Sequence, residues 1–277
     1  MTEQKSAQKK EGYDLQIFPV PFSLEEAKEN INIITNSSSK KLQTSLEGKL
    51  NQAFKYHLKG NIAEAKKSYL FCINKGLKDP RIFSNYGTIL KEEGDLPAAE
   101  TYFHKAIKIR PNFAEAHCNL GNLLRELDKL EEAEIFTRKA IKINPNYAIA
   151  NYNLGNILKD LERIEEAENF TRKAIKIDPN FAEAYFSLGS IYIDKAIKLE
   201  DNSKFKIAKD YIYKAIKLKP NLHDAHIQIG AINLELGELK EAELSILKAI
   251  EIKPNIAISY LNLGNIYRKK GNLKKAE

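Results

Sequence analysis

Asparagine is the residue whose spacing first asks for a chemical explanation. Asn51, Asn85, Asn119, Asn153 and Asn262 recur in step, with Ser187 and Gln228 at the two intervening places. A second row, Asn122, Asn156 and Asn265, with Ser190 in line, stands three residues further on. A carboxamide both donates and accepts hydrogen bonds, so a ladder of them can pair with a peptide backbone without reading its side chains. Asn85, Asn119, Asn122, Asn153, Asn156, Asn262 and Asn265 are therefore the candidate peptide-binding residues.

Other chemistries find less support. His223 and His226 are spaced i, i+3, but His226 falls where Phe83, His117, Tyr185 and Tyr260 fill a large packing slot, and no Asp/Cys/His cluster completes four ligands. No metal site and no cofactor is expected. Cys72 occupies a small packing position and reads as inert. There is no phosphate-binding loop, dinucleotide fingerprint, nucleophile elbow or metalloprotease helix. The expectation is no catalytic residue and no enzyme activity in this chain. Basic residues recur as Arg138, Lys139, Lys142; Arg172, Lys173, Lys176; and Lys214, Lys217. Interleaved with glutamates, they read as a solvated face, and no nucleic-acid partner is expected.

The bulk properties agree. The chain has 277 residues, 43% apolar and 29% charged, with a formal net charge of +7. That excess is mild for a nucleic-acid binder without clustering. Two cysteines in a chain this long do not make a disulfide framework, so Cys72 and Cys118 are expected as thiols in a reducing, cytoplasmic setting. Met1 to Gly12 is polar and lysine-bearing, unlike a secretory signal. No window approaches the ~18 consecutive apolar residues of a membrane-spanning helix, so no membrane partner is expected.

The elements that would position the asparagines follow from self-similarity. Thr-Arg-Lys-Ala-Ile-Lys-Ile occurs at Thr137–Ile143 and at Thr171–Ile177, a shift of 34. Gly87, Gly121, Gly155 and Gly189 keep that shift, as do Pro111, Pro145 and Pro179. The phase slips once, to 41, between Gly189 and Gly230, then returns to 34 at Gly264. Each unit reads as two helices. In the unit from Ala114, apolar residues at helical spacing run from Ala116 to Leu127, Asp128 begins a break, and a second run from Ala133 to Ile143 ends before Pro145. Three positions stay small: the glycine row, a row from Ala65 through Ala133 to Ala276, and a row from Cys72 through Ala140 to Ala249. Small side chains let helices approach closely, and Leu at Gly121 would overpack the contact by about 1–3 kcal/mol.

A 34-residue unit with Leu-Gly in its first helix, alanine early and late in the second and proline at the end resembles the tetratricopeptide repeat. The resemblance covers about residues 46–277. It implies an all-α fold, a right-handed superhelical solenoid of helical hairpins, with units 46–79, 80–113, 114–147, 148–181, 182–222, 223–256 and a partial unit 257–277. It also implies a concave groove lined by first helices, where the asparagine rows would lie. Those rows look like the asparagine ladder in the repeat region of protein O-GlcNAc transferases. The carboxylate clamp of chaperone-tail-binding tetratricopeptide domains needs basic residues one turn before the asparagine. Here those places hold Glu47, Arg81, Glu115, Ile149, Glu183, Asp224 and Ile258, so that clamp is absent.

Residues 1–45 are expected to be a disordered segment with a short capping helix, opened by Ser23-Leu-Glu-Glu26, and a flexible linker at Asn36–Lys41. The seven extra residues fall around Ile197–Phe205, where the first helix is expected to lengthen and Asp201-Asn202-Ser203 to turn the chain. Leu261, Leu263, Ile266 and Tyr267 leave an apolar end that reads as a piece of a longer protein or as a surface for another chain, self-association included. The leading function is a scaffold holding a protein or peptide in the groove. The alternative is the substrate-recognition arm of a repeat-fused glycosyltransferase or sulfotransferase.

Overall fold

The computed structural model describes residues 37–271, with side chains from residue 45 onward. The segment Ile17–Phe22, the helix expected from Ser23 and the second helix of the last unit lie outside the described residues. Among the described residues all regular structure is helical. The elements are α1 (Ser37–Leu58), α2 (Ile62–Asn74), α3 (Pro80–Glu92), α4 (Leu96–Ile109), α5 (Ala114–Glu126), α6 (Leu130–Ile143), α7 (Ala148–Asp160), α8 (Ile164–Ile177), α9 (Ala182–Lys198), α10 (Asn202–Leu218), α11 (His223–Glu235), α12 (Leu239–Ile252) and α13 (Ala257–Lys269). The protein is an all-α helical-repeat solenoid. No helix among the described residues is long and apolar enough to cross a membrane.

Local chemistry sets the helix ends. Asp79 caps α3 by accepting from Arg81 N at 2.8 Å, and Pro80 sits at the first helical position, where its missing N–H costs nothing. The second helices α6, α8, α10 and α12 stop at Asn144, Asp178, Lys219 and Lys253, whose φ values run from −126° to −135°. Each precedes a proline, whose ring pushes its neighbour out of the helical region. Within the hairpins, Gly60, Gly94 and Gly237 take the left-handed turn conformation. Asp128 and Glu162 hold the same conformation at φ 60° without that freedom, which costs an L-residue about 1–2 kcal/mol.

The serine and lysine run expected as a linker belongs to α1, which starts at Ser37. Serine suits the start of a helix, and the Lys-Lys-Leu-Gln that follows is helix-favouring. The seven-residue insertion also departs from expectation, because it is shared. Both α9 and α10 have 17 residues, against 13 in α7 and 14 in α8. Each helix gains about one turn, so the hairpin lengthens while its inner register is kept. Asp201 caps α10, accepting from Ser203 N at 2.9 Å, so Asn202 and Ser203 are helical.

The chain divides into two compact units, one up to Tyr102 and one from Phe103, the division falling inside α4. In the first, α1, α2 and α3 bury Leu50, Ala53, Ala65, Tyr69, Cys72 and Ile82. Burial pushes the Cys72 thiol pKa up, which leaves it a packing group. In the second, each hairpin packs on the next (α6 on α7, α8 on α9, α10 on α11, α12 on α13), and first helices also meet one another, α5 with α7 and α11 with α13. The alanine rows are fully buried at Ala133, Ala140, Ala167, Ala174, Ala208 and Ala215. A Cβ at Gly121 or Gly155 would collide with the Thr137 or Thr171 hydroxyl, and one at Gly189 or Gly230 with the Ile212 or Ile246 side chain. The glycine row is therefore the contact that closes the four hairpins from α5 to α12.

Candidate peptide-binding face

Because α5, α7, α9, α11 and α13 carry the asparagine positions, the second unit alone brings most of the candidate residues onto neighbouring first helices. Asn119 and Asn122 on α5 and Asn153 and Asn156 on α7 are half-buried. Their rows are tied from repeat to repeat. Asn153 Nδ2 donates to Cys118 Sγ at 3.3 Å. Ser187 Oγ donates to Asn156 Oδ1 at 2.6 Å. Gln228 Nε2 donates to Ser190 Oγ at 2.8 Å. These bonds leave the carbonyl oxygen of Asn153 and the amide nitrogen of Asn156, one acceptor and one donor a turn apart on one helix face.

A charge ladder the sequence reading missed runs beside the amides. Arg125 Nε donates to Asp160 Oδ2 at 2.6 Å, and Lys159 Nζ to Asp194 Oδ2 at 3.2 Å. Its signal was present as a basic–acidic neighbour pair closing α5 and α7, Arg125-Glu126 and Lys159-Asp160, which the 34-residue repeat sets one unit apart. A second missed cluster joins α8, α9 and α10. Glu168 accepts from Lys195 Nζ at 2.6 Å, Tyr192 OH at 2.8 Å and Arg172 Nε at 2.8 Å. Arg172 also donates to the Tyr192 and Tyr211 hydroxyls. Burial pushes the Glu168 carboxyl upward, but the bonds from Lys195, Arg172 and Tyr192 outweigh it and hold the pKa down to about 2.

Asn262 and Asn265 lie half-buried on α13, set apart from the first four by α11, where Gln228 and Ala231 stand in the rows. Asn265 Oδ1 accepts from Arg268 at 3.3 Å. On the same two helices Ile227 is half-buried, Ile258 and Leu261 are 47% and 60% exposed, and the half-buried Leu234 packs against Ala242, Ile246 and Ile266. Asn85 belongs to the other compact unit. It is buried, and its Nδ2 donates to Tyr69 OH at 3.1 Å, beside His57, whose Nδ1 is 3.1 Å from the same hydroxyl. Arg81, the one basic residue at a clamp position, is engaged by Asp79 and lies over the Phe54 ring. The histidines are also engaged: His226 Nε2 donates to the Pro220 carbonyl at 2.9 Å, and His223 lies between Asp224 and Ser259.

Hairpins of this length, with a glycine closing four of those described, match known repeat models. Tetratricopeptide-repeat models match residues 114–147, 148–181, 223–256 and 245–277, and a TPR-repeat model matches 87–128, together more than half of the chain. The chain belongs to the tetratricopeptide-repeat family. Tetratricopeptide-repeat proteins generally mediate protein–protein interaction. Among solved structures, that of YrrB, described as a TPR protein with an unusual peptide-binding site, is 30% identical, with 63% of this chain and 86% of that chain covered and a TM-score of 0.48. A tetratricopeptide repeat protein from Parabacteroides merdae is 18% identical, with 84% and 90% covered and a TM-score of 0.62. A chain of the Cut9–Hcn1 hetero-tetramer is 16% identical with a TM-score of 0.71, over 79% of this chain and 42% of that one. The last two share the fold. No curated protein matches the chain.

Proposed function

We propose that this tetratricopeptide-repeat protein is a scaffold that holds an extended peptide or protein segment on the first-helix face from α5 to α13. The observation that carries this reading is the half-used amide pair: Asn153 and Asn156 each bond to a neighbouring repeat through one end and keep the other. An acceptor and a donor a helical turn apart suit the N–H and C=O of an extended backbone. Asn119 and Asn122 extend the polar track on α5, and Asn262 and Asn265 mark its far end on α13. Near that far end Ile227, Ile258 and Leu261 offer a place for apolar side chains of the same segment. The test is capture of partners from lysate by the full chain and by a variant with Asn119, Asn122 and Asn153 replaced by alanine. The variant is expected to keep its helicity and melting temperature and to lose its partners. Recovery of every partner by a folded variant would sink the assignment of this face.

A further inference from the structure

The most independent feature lies away from the asparagine face. A depression of about 560 Å³ opens between the loop before α7 and the last turns of α8, lined by Pro145, Asn146, Asn151, Lys173, Lys176 and Ile177. Its two cations are uncompensated. Most cations nearby are held: Arg172 by Glu168, Arg163 by Glu166, Lys195 by Glu168. Lys173 and Lys176 form no ion pair among the described residues, and Lys173 Nζ instead sits 4.6 Å from the centre of the Phe170 ring. The carboxylates of α8 are remote or occupied. Glu165 and Glu166 are in its first turn, about 15 Å along the helix from Lys176 at 1.5 Å per residue. Glu168 is bound on the side of α9. The next acids along the chain are Asp178, whose Oδ1 accepts from Asn180 N, and Glu183, which is paired with Lys219.

The repeat copies the arrangement. Pro111-Asn112 with Lys139 and Lys142 precede it by 34 residues, and Pro179-Asn180 with Lys214 and Lys217 follow it. None of those four lysines has an ion pair among the described residues. Lys139 lies 5.1 Å from the Phe136 ring centre and Lys214 5.9 Å from that of Tyr185. Three successive second helices thus end in a pair of free cations beside a Pro-Asn loop.

We propose that this lysine-lined edge, centred on the depression at Lys173 and Lys176, docks an acidic polypeptide segment. Lysine is a compact point charge without the planar fork that suits paired phosphate oxygens, so the edge fits scattered carboxylates. Phe136 and Phe170 lie beneath Lys139 and Lys173, so these rings are not open platforms for stacking bases. The exposed Asn146 side chain can bond a peptide group while the lysines meet acidic side chains. A segment lying across α6, α8 and α10 would meet a cation pair on each helix, which favours a glutamate- or aspartate-rich stretch over a single charged group.

Fluorescence anisotropy of a short labelled polyglutamate peptide, titrated with the full chain, tests this. Saturable binding that weakens with salt is expected, weakened further by about tenfold, or 1.4 kcal/mol, in the Lys173→Gln/Lys176→Gln variant. A Lys59→Gln/Lys240→Gln variant, which removes the same charge elsewhere, is expected to bind like the parent. Circular dichroism checks that each variant is folded, and Lys176→Gln alone serves if the double variant is not. No binding by the parent, or equal weakening in both double variants, overturns the proposal. So does tighter binding of a single-stranded oligonucleotide of matched charge that is lost in the Lys173/Lys176 variant, because it reassigns the edge to nucleic acid.

Discussion

Repeats three and four, residues 114–181, and repeats five and six, residues 182–256, share a backbone plan and solve the same contacts with different chemistry. In the earlier pair, the glycine that closes the hairpin meets a threonine, Thr137 or Thr171; in the later pair it meets an isoleucine, Ile212 or Ile246. The earlier first helices are laced together by Arg125–Asp160, Lys159–Asp194 and the bonds of Asn153 and Asn156. On α11, in the later pair, the first row continues as Gln228 but Ala231 replaces the second, with Ile227 half-buried beside them, and the partial unit that follows exposes Leu261. The difference teaches that amide ties between first helices leave unused amide ends for a ligand, whereas exposed apolar side chains gain only when something covers them. A two-end face of this kind suits a ligand that is backbone-read along one stretch and anchored by apolar side chains along the other.

The largest expected effect tests the hairpin contact. Gly155→Leu and Gly189→Leu should each destabilise by about 1–3 kcal/mol, with the second the costlier because a branched aliphatic chain yields less room than a threonine hydroxyl. Urea denaturation of both variants decides it, and equal midpoints would remove the distinction between the two pairs of repeats. The next effect concerns the joint between them, the Glu168 cluster. Glu168→Gln should cost about 1–3 kcal/mol at neutral pH by removing charged hydrogen bonds. The folded pKa, about 2, lies below the ordinary carboxylate value of 4.5, so this stabilisation is present above 4.5 and is lost as pH falls from 4.5 toward 2. Thermal melts across that window should slope less in the glutamine variant, and parallel slopes would refute the assignment. The smallest effect is in the turns. Repeat six uses Gly237 where repeat four strains Glu162 into positive φ, so Glu162→Gly should stabilise by up to about 1 kcal/mol, and a lowered midpoint would show that the glutamate is tolerated there for another reason.

Much of this is legible in the sequence. The 34-residue shift gave the hairpins and their glycine and alanine rows, because close approach admits only small residues and leaves a mark at fixed spacing. The proline after each second helix set its end for a local steric reason. The asparagine rows were legible as rows. Their partners were less so, since whether an amide faces a ligand, a cysteine or a buried tyrosine depends on the neighbouring repeat.

By itself, then, the sequence determined whatever depends on local backbone chemistry and on periodicity: helix ends, the hairpin unit and its small-residue contacts. Tertiary structure decided how seven inserted residues were shared between α9 and α10, a matter of keeping Gly189 against Ile212 while both helices grew. It also decided that Asn85 turns to Tyr69 on a second helix while Asn153 and Asn156 reach neighbouring first helices, and that, among the described residues, Lys173 and Lys176 have no acidic partner where Arg172 and Lys195 share one. Long polar side chains choose among partners that only packing brings within a few ångströms, and no spacing along the chain records that choice.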